Sequence, residues 1–181
     1  MVVYLKEMTS KFVLTFDIEY DKDRIIQFSG ILLQRVSEDQ PHYQVKSNIN
    51  TYIRKNSVSR IVEELTNLSA DYLNDYGVSL KEFQKEIDTL LKDIEPKDLV
   101  CVSYGIQQDS LILEKNGVDF DQYTHLCAYN LARSMLERKT NLTLTDVAEE
   151  AGFAYIQMHN AYFDALATLW TLSYLLEMKG V

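Results

Sequence analysis

Two carboxylates near the start of the chain, Asp17 and Glu19, have the type and spacing of a cation site. They follow the apolar and β-branched run at residues 12–16, which predicts a strand buried on both faces. Because side chains alternate along a strand, both carboxylates share one face, with Cβ atoms roughly 7 Å apart, while Ile18 points into the core. One hard cation could bridge them. The segment also fits a solvated strand end that leads into a turn at residues 20–23.

A third carboxylate, Asp109, follows another predicted strand. The run at residues 99–103 predicts a buried strand, and residues 108–113 predict a helix. Strand ends and the helix starts after them are where α/β sheets place ligands. Asp109 is therefore a candidate ligand, although an acid in the first turn also simply favours the helix dipole.

His159 and Asp164 form the last candidate pair. Residues five apart on one helix point about 140° away from each other. Both can reach one site only if His159 lies on the loop or cap before the helix and Asp164 lies inside it. The ordinary histidine pKa, near 6.5, suits the imidazole to take a proton from water at neutral pH. A lone histidine is also commonly a surface or core residue, and neither His42 nor His125 has an acid five positions on.

The order of predicted elements indicates how these residues are held. Three strands with short connections predict an antiparallel meander, and two later strands alternate with helices. The predicted strands are residues 12–16, 25–36, 43–49, 99–103 and 123–128. We therefore expect an α/β fold with a mixed five-stranded sheet, antiparallel and then parallel, and helices packed on both faces. This order fits a ribonuclease H-like fold.

Helix limits and faces can also be predicted. Ser79 is a suitable N-cap, Thr143 with Asp146 resembles a capping box, and Gly152 ends the helix that follows Thr143. Three apolar sets recur at helical spacing. These are Ile61, Leu65 and Leu68, then Leu80, Phe83, Ile87, Leu90 and Leu91, and finally Phe163, Leu166, Trp170 and Tyr174 in a long amphipathic last helix at about residues 162–178.

Composition limits the class of protein. The chain has 181 residues, of which 46% are hydrophobic, and it carries 18 Lys+Arg against 27 Asp+Glu, for a net charge of -9. We expect a single domain over residues 1–181 with its core at about 11–176. The negative charge excludes a broad, charge-driven duplex binder, but not an enzyme that grips a few nucleotides and uses metal ions for the charge.

Cysteine usage and hydropathy indicate a location. Cys101 and Cys127 lie in separate apolar stretches without a CxxC motif, so neither a disulfide framework nor a zinc site is indicated. No apolar run approaches the roughly 20 residues of a membrane helix, and the first residues are too polar for a signal peptide. A cytoplasmic protein without membrane contact is expected.

The combined order of motifs resembles a known family. An Asp-x-Glu after the first strand, an Asp at the start of a later helix and a His-x4-Asp at the last helix resemble the DEDDh exonucleases. This superfamily includes the proofreading epsilon subunit of DNA polymerase III, ribonuclease T and oligoribonuclease. The resemblance runs from about Lys11 to Leu176, including the stretch at residues 65–73 and Val78-Ser79-Leu80.

The resemblance implies an activity and a site. It implies metal-binding carboxylates at Asp17, Glu19, Asp109 and Asp164, and a general base at His159. They would use two divalent cations, Mg²⁺ or Mn²⁺, to remove nucleoside 5′-monophosphates from the 3′ ends of single-stranded DNA or RNA. A homodimer, or a polymerase or RNA-processing partner, is the assembly expected with such a domain.

The chain also departs from the family pattern, and other functions stay open. Tyr20 stands where members often have Thr, and Ser103-Tyr104-Gly105 stands where an Asn is common. The alternatives are a non-catalytic module of the same fold that docks on nucleic acid or a polymerase, and a metal-dependent phosphohydrolase of small nucleotides. Other candidate contacts have an equally simple structural explanation. These are Tyr20, Tyr104 and Tyr162 for base stacking, and Arg138-Lys139 for phosphate.

Overall fold

The structure is a computed structural model that describes residues 1–6, 8–137, 142–154 and 158–178. Over these residues the chain forms one mixed sheet with helices. The strands are β1 (Val2–Tyr4), β2 (Phe12–Asp21), β3 (Arg24–Arg35), β4 (His42–Tyr52), β5 (Leu99–Ser103) and β6 (Thr124–Cys127). The helices are α1 (Arg60–Thr66), α2 (Ala70–Tyr76), α3 (Leu80–Leu91), α4 (Ile106–Lys115), α5 (Ala128–Met135), α6 (Leu144–Glu150) and α7 (Ala161–Met178).

The strand order in the sheet is β1-β4-β3-β2-β5-β6. The pairs β1–β4, β4–β3 and β3–β2 are antiparallel, and the pairs β2–β5 and β5–β6 are parallel. The predicted α/β class and the mixed sheet, with its antiparallel meander followed by parallel strands, are confirmed. The predicted count of five strands is wrong, because β1 adds a sixth at the edge of β4. Its three residues are too few to show an alternating pattern in the sequence.

The first carboxylate pair lies inside a strand rather than after it. β2 continues to Asp21, because β3 pairs with it until Asp21 stands opposite Arg24. The predicted end of the strand before Asp17, and the predicted turn from Tyr20, are therefore wrong. Asp17 and Glu19 are held by the hydrogen-bond ladder of a long β-hairpin, which fixes their direction more firmly than a strand end would.

Alternation along β2 divides the core into two. Leu14, Phe16 and Ile18 face one side of the sheet and pack with Phe83 of α3 and Ile112 of α4. The opposite side is formed by side chains of the sheet, α5 and α7, namely Val13, Val100, Val102, Ala128, Leu169 and Leu172. Helices on both faces are confirmed, and the odd-numbered residues of β2, including Asp17 and Glu19, point to the side of α7.

α7 buries a different face from the one predicted. Trp170 is 45% exposed and stacks on Phe153, with ring centroids 6.1 Å apart. The buried residues of α7 instead lie on most of its circumference, because the helix contacts β2 and β3 on one side and α5 and α6 on the other. They are Ala161, Ala165, Ala167, Thr168, Leu169, Thr171, Leu172, Leu175 and Leu176.

The predicted apolar face of α1 is also wrong. Ile61 is 72% exposed and Leu65 is 49% exposed, whereas Leu68, which follows the helix, is buried. Leu68 packs with Ile26 and Leu73 in a small cluster beside β3. The helical spacing of these residues in the sequence is therefore not matched by a common buried face.

Capping predictions are confirmed. Ser79 caps α3 and Thr143 caps α6, each with a reciprocal capping box. Gly152 follows α6 with φ 79°, a left-handed conformation that glycine adopts without steric cost. Among the described residues, no helix is long and apolar enough to span a bilayer.

Candidate metal centre

Three of the predicted carboxylates meet in space. Asp17, Glu19 and Asp164 each offer an oxygen, and these oxygens all lie within 4.8 Å of one another. Asp17 and Glu19 come from the α7 side of β2, opposite Ser29 and Gln27 of β3. Asp164 comes from the first turn of α7, where the helix dipole favours a negative charge. The pairing of a strand with the start of a helix brings both ends of the sequence to one site.

The site places negative charges close together in a poorly hydrated place. Burial, and then the charges of Asp109, Asp164 and Glu19, raise the pKa of Asp17 well above its usual range. Burial, followed by the charges of Asp164 and Asp109, raises the pKa of Glu19 to about 8. In the metal-free protein, protons therefore compensate part of the charge at neutral pH.

Asp21, the next acid on β2, shows how a neighbouring positive charge changes the pKa of a carboxylate. Its carboxylate accepts a hydrogen bond from Lys55 Nζ at 2.6 Å and one from the backbone N–H of Ser59 at 3.2 Å. Although burial acts to raise it, these hydrogen bonds lower the pKa of Asp21. Asp17 and Glu19 have no such lysine or arginine partner in the part of the chain described.

This donor set fits a divalent cation. Carboxylate oxygens are the ligands that Mg²⁺ and Mn²⁺ prefer, and a dication would neutralise the charges that raise the pKa values of Asp17 and Glu19. The observation that supports this fit is the close approach of the carboxylates themselves, which is costly unless a cation or a proton neutralises their charge. The three residues could therefore hold a metal ion.

Asp109 lies beside this group rather than in it. It is 8% exposed, in the first turn of α4, and its Oδ2 accepts a hydrogen bond from the hydroxyl of Ser103. Burial raises the pKa of Asp109 to about 6, and the Ser103 hydrogen bond acts in the opposite direction. Its charge nevertheless raises the pKa values of Asp17 and Glu19, so it belongs to the same electrostatic site.

His159 lies on the loop before α7, as expected from its separation of five residues from Asp164 in the sequence. Its side chain is exposed, and its backbone is left-handed with φ 55°. The loop continues through Asn160 into α7, where the N–H of Asp164 donates to the carbonyl of Asn160 at 3.0 Å. Within the described residues, the close group of ligand atoms does not include His159.

The other candidate contacts serve the fold or cannot be placed. The Tyr104 hydroxyl donates to the Leu142 carbonyl at 2.9 Å, so this ring is fixed in the core. Tyr20 is partly buried against the core on the α3 side. The Tyr162 ring is also partly buried and lies 5.5 Å from the ring of Phe163. Arg138-Lys139, the predicted phosphate contact, lies outside the described residues.

Sequence reasoning missed the role of Ser103. This residue ends β5 and is fully buried, and its hydroxyl both donates to Asp109 and accepts from the N–H of Gly105 at 3.2 Å. In the sequence, Ser103 stands out only as a departure from the family pattern. A polar residue at the end of an otherwise apolar strand, six positions before a candidate ligand, was the available signal.

Comparison with protein families gives one match over nearly the whole chain. A family model described as Exonuclease, of the RNase T type, matches residues 6–171. None of the curated proteins matches the chain by sequence.

Solved structures share the fold at low sequence identity. E. coli exonuclease I in complex with a dA16 oligonucleotide has a TM-score of 0.69 and 14% identity, covering 92% of this chain and 42% of that one. Cell-death related nuclease 4 has a TM-score of 0.70 and 15% identity, covering 94% and 65%. A full-length 3′-exonuclease has a TM-score of 0.70 and 13% identity, covering 94% and 83%. The chain thus spans less than two thirds of exonuclease I and of nuclease 4.

Proposed function

Since the chain belongs to the exonuclease family, we propose that it is a metal-dependent 3′–5′ exonuclease of the DEDDh type. Its substrates are the 3′ ends of single-stranded DNA or RNA, and its products are nucleoside 5′-monophosphates. The observation that carries this proposal is the meeting of Asp17, Glu19 and Asp164, with oxygens within 4.8 Å of one another.

Each residue of the site has a separate task in this proposal. Asp17, Glu19 and Asp164 would hold two divalent cations, Mg²⁺ or Mn²⁺, and Asp109 would support the second. When bound, such ions make water a better nucleophile and neutralise charge on the phosphate and on the leaving oxygen. The four carboxylates alone would repel a phosphodiester, so binding of substrate depends on the metal.

His159 is the general base in this proposal. Its imidazole accepts the proton of the attacking water, a role that histidine side chains commonly have at neutral pH. Because His159 is exposed on the loop before α7, it can reach the 3′ end of a nucleic acid bound at the carboxylates. The solved structures support the substrate class, because exonuclease I is described with a bound dA16 oligonucleotide.

The proposed location is the cytoplasm. Cys101 and Cys127 are both free thiols in the structure, and Cys101 is fully buried. Unpaired cysteines are usual where the environment is reducing.

The test is cleavage of end-labelled oligonucleotides. Single-stranded DNA and RNA with a 5′ label are incubated with Mg²⁺, with Mn²⁺ or with EDTA, beside a circular DNA without ends. Asp17→Ala and His159→Ala are compared with matched controls away from the site. Asp23→Ala removes an acid from an exposed ion pair with Lys115, and His42→Ala removes a histidine from a strand near the sheet edge.

We expect a ladder shortening from the 3′ end, with release of 5′-monophosphates. EDTA, Asp17→Ala and His159→Ala abolish it, the control variants retain it, and the circle stays intact. Tight binding without cleavage would contradict the proposal in favour of a docking module. Hydrolysis of mononucleotide or dinucleotide esters alone would contradict it in favour of a small-nucleotide phosphohydrolase.

A further inference from the structure

A buried glutamine joins the central sheet to the first residue of α7. Gln27 lies in β3 with no exposed surface. Its Nε2 donates to Asn50 Oδ1 at 2.9 Å, and its Oε1 accepts the backbone N–H of Ala161 at 3.2 Å. Because both ends of the amide are occupied, its orientation is fixed. The bond to Ala161 satisfies one of the N–H groups that a helix N-terminus leaves without a partner.

An asparagine of the neighbouring strand anchors this glutamine. Asn50 lies in β4, and because its Oδ1 accepts the hydrogen bond from Gln27 Nε2, the Gln27 Oε1 is directed towards α7. Asn160 in turn caps α7, because its Oδ1 accepts the N–H of Tyr162 at 3.1 Å. The start of α7 is therefore held to the sheet through Gln27 and closed by its own cap.

The residue immediately before this attachment is His159. Its left-handed backbone, with φ 55°, is unfavourable for a residue other than glycine. Such a conformation persists only when the surrounding structure determines it. The hydrogen bonds at Asn160 and Ala161 are adjacent in sequence to His159, and they provide that constraint.

The same glutamine lies at the level of the carboxylates. Gln27 is the partner of Glu19 in the β2–β3 pairing. The same residue therefore lies beside Glu19 through its backbone and bonds to α7 through its side chain. Asp164 lies in the first turn of α7, just after the bonded Ala161. Movement of this helix end would displace Asp164 and His159 together, relative to Asp17 and Glu19.

We infer that Gln27 is a positioning residue for the reaction: its side chain, anchored by Asn50, fixes the start of α7, and with it Asp164 and the preceding His159, relative to the carboxylates of β2. This inference rests on the proposed function for its catalytic consequence. The geometric part, that Gln27 immobilises the N–H of Ala161, stands independently. A displacement of about 1 Å at a catalytic group is enough to lower a rate by about 100-fold.

The experiment compares three variants of the full chain. Gln27→Met keeps the length of the side chain and removes both hydrogen bonds. Asn50→Ala removes the acceptor of the Gln27 Nε2 hydrogen bond and is the milder variant if Gln27→Met folds poorly. Ser29→Ala is the matched control, because Ser29 is also fully buried on β3 and its hydroxyl donates to the Ile49 carbonyl, not to α7. The readouts are kcat and KM on an oligonucleotide at saturating Mn²⁺, and amide hydrogen exchange at Ala161.

For Gln27→Met we expect kcat to fall by about 10- to 100-fold with KM within about threefold of wild type, in line with displaced catalytic groups. Asn50→Ala should lower kcat by about three- to tenfold, and Ser29→Ala by less than about twofold. Exchange at the N–H of Ala161 should be at least about tenfold faster in Gln27→Met and unchanged in Ser29→Ala.

Two results would overturn the inference. One is an equal loss of activity in Gln27→Met and Ser29→Ala, which would mean a general effect on the fold. The other is unchanged exchange at Ala161 in both Gln27→Met and Asn50→Ala. If wild-type protein cleaves no oligonucleotide, the proposed function fails instead, and the exchange at Ala161 still decides whether Gln27 holds the helix.

Discussion

An oxygen of Asp17 and an oxygen of Asp164 lie within 4.8 Å of each other, although one residue belongs to a central strand and the other to the last helix. Like charges at this distance repel, and burial strengthens the repulsion. In the metal-free protein this contact opposes folding. The site therefore gives up stability for a concentration of negative charge, as is typical of functional sites.

Removing one of these charges should stabilise the metal-free protein. We expect Asp17→Asn to raise the free energy of unfolding in EDTA at pH 8 by about 1–3 kcal/mol, since one like-charge interaction is lost. Denaturant unfolding followed by circular dichroism measures this change. Asp23→Asn, at an exposed ion pair, is the matched control and should change stability by less than about 0.5 kcal/mol. Destabilisation by Asp17→Asn would argue against a repulsive cluster.

The stability of the metal-free protein should depend on pH with a definite sign. Glu19 has a pKa of about 8 in the folded chain against 4.5 for an ordinary glutamate. Between these values the folded state binds more protons than the unfolded state, so stability falls as pH rises from about 4.5 to 8. Unfolding at a series of pH values in EDTA checks this, and Glu19→Gln should flatten the slope. A slope of opposite sign would contradict the assignment.

The Ser103 hydroxyl should control how readily Asp109 ionises. Its hydrogen bond lowers the pKa of Asp109, which burial has raised to about 6. Ser103→Ala should therefore shift the acidic limb of the pH–rate profile to higher pH and raise the Mn²⁺ concentration needed for half-maximal activity several-fold. Ser110→Ala is the control, because the neighbouring Ser110 hydroxyl is buried and has no hydrogen-bond partner among the residues that the structure describes. Identical profiles for both variants would count against this role.

Asn116 should contribute to stability without affecting the site. It is 2% exposed, and its Nδ2 donates to the carbonyls of Asp23 and Ile112, both at 2.7 Å. These bonds join the β2–β3 hairpin to the end of α4. Asn116→Ala should lower the free energy of unfolding by about 2–3 kcal/mol, because buried carbonyls lose their donor. Asn130→Ala, an exposed position on α5, should change it by less than about 0.5 kcal/mol. Equal changes in the free energy of unfolding for the two variants would show that the hydrogen bonds of Asn116 do not stabilise the fold.

The sequence was sufficient for the features that depend on local pattern. The buried strand β5 is predicted with its observed bounds, as are the N-cap at Ser79 and the capping box at Thr143, whereas the reciprocal bond that also makes Ser79 a capping box is seen only in the structure. The carboxylates of β2 were identified from alternation, which places Asp17 and Glu19 on one face wherever the strand ends. These signals are short-range and do not require knowledge of neighbouring elements.

What the sequence could not supply depends on long-range packing. The buried surface of α7 was predicted wrongly because a helix enclosed on two sides has no single apolar face, and this left Trp170 exposed. The extension of β2 to Asp21 depends on pairing with β3. The acidic residues after Phe16 interrupt the apolar pattern, so the sequence does not predict that extension. Ser103 and Gln27 are polar residues whose importance lies in partners that are distant in sequence.

The claim that Asp17, Glu19 and Asp164 form a metal site is tested most directly by measuring Mn²⁺ binding at pH 7.5. Isothermal titration calorimetry gives the affinity, and electron paramagnetic resonance reports on the bound ion. We predict that wild-type protein binds Mn²⁺, that Asp17→Asn, Glu19→Gln and Asp164→Asn each weaken binding at least about tenfold, and that His159→Ala and Asp23→Asn leave it within about twofold. Binding of equal strength in the wild type and in all three carboxylate variants would contradict the account.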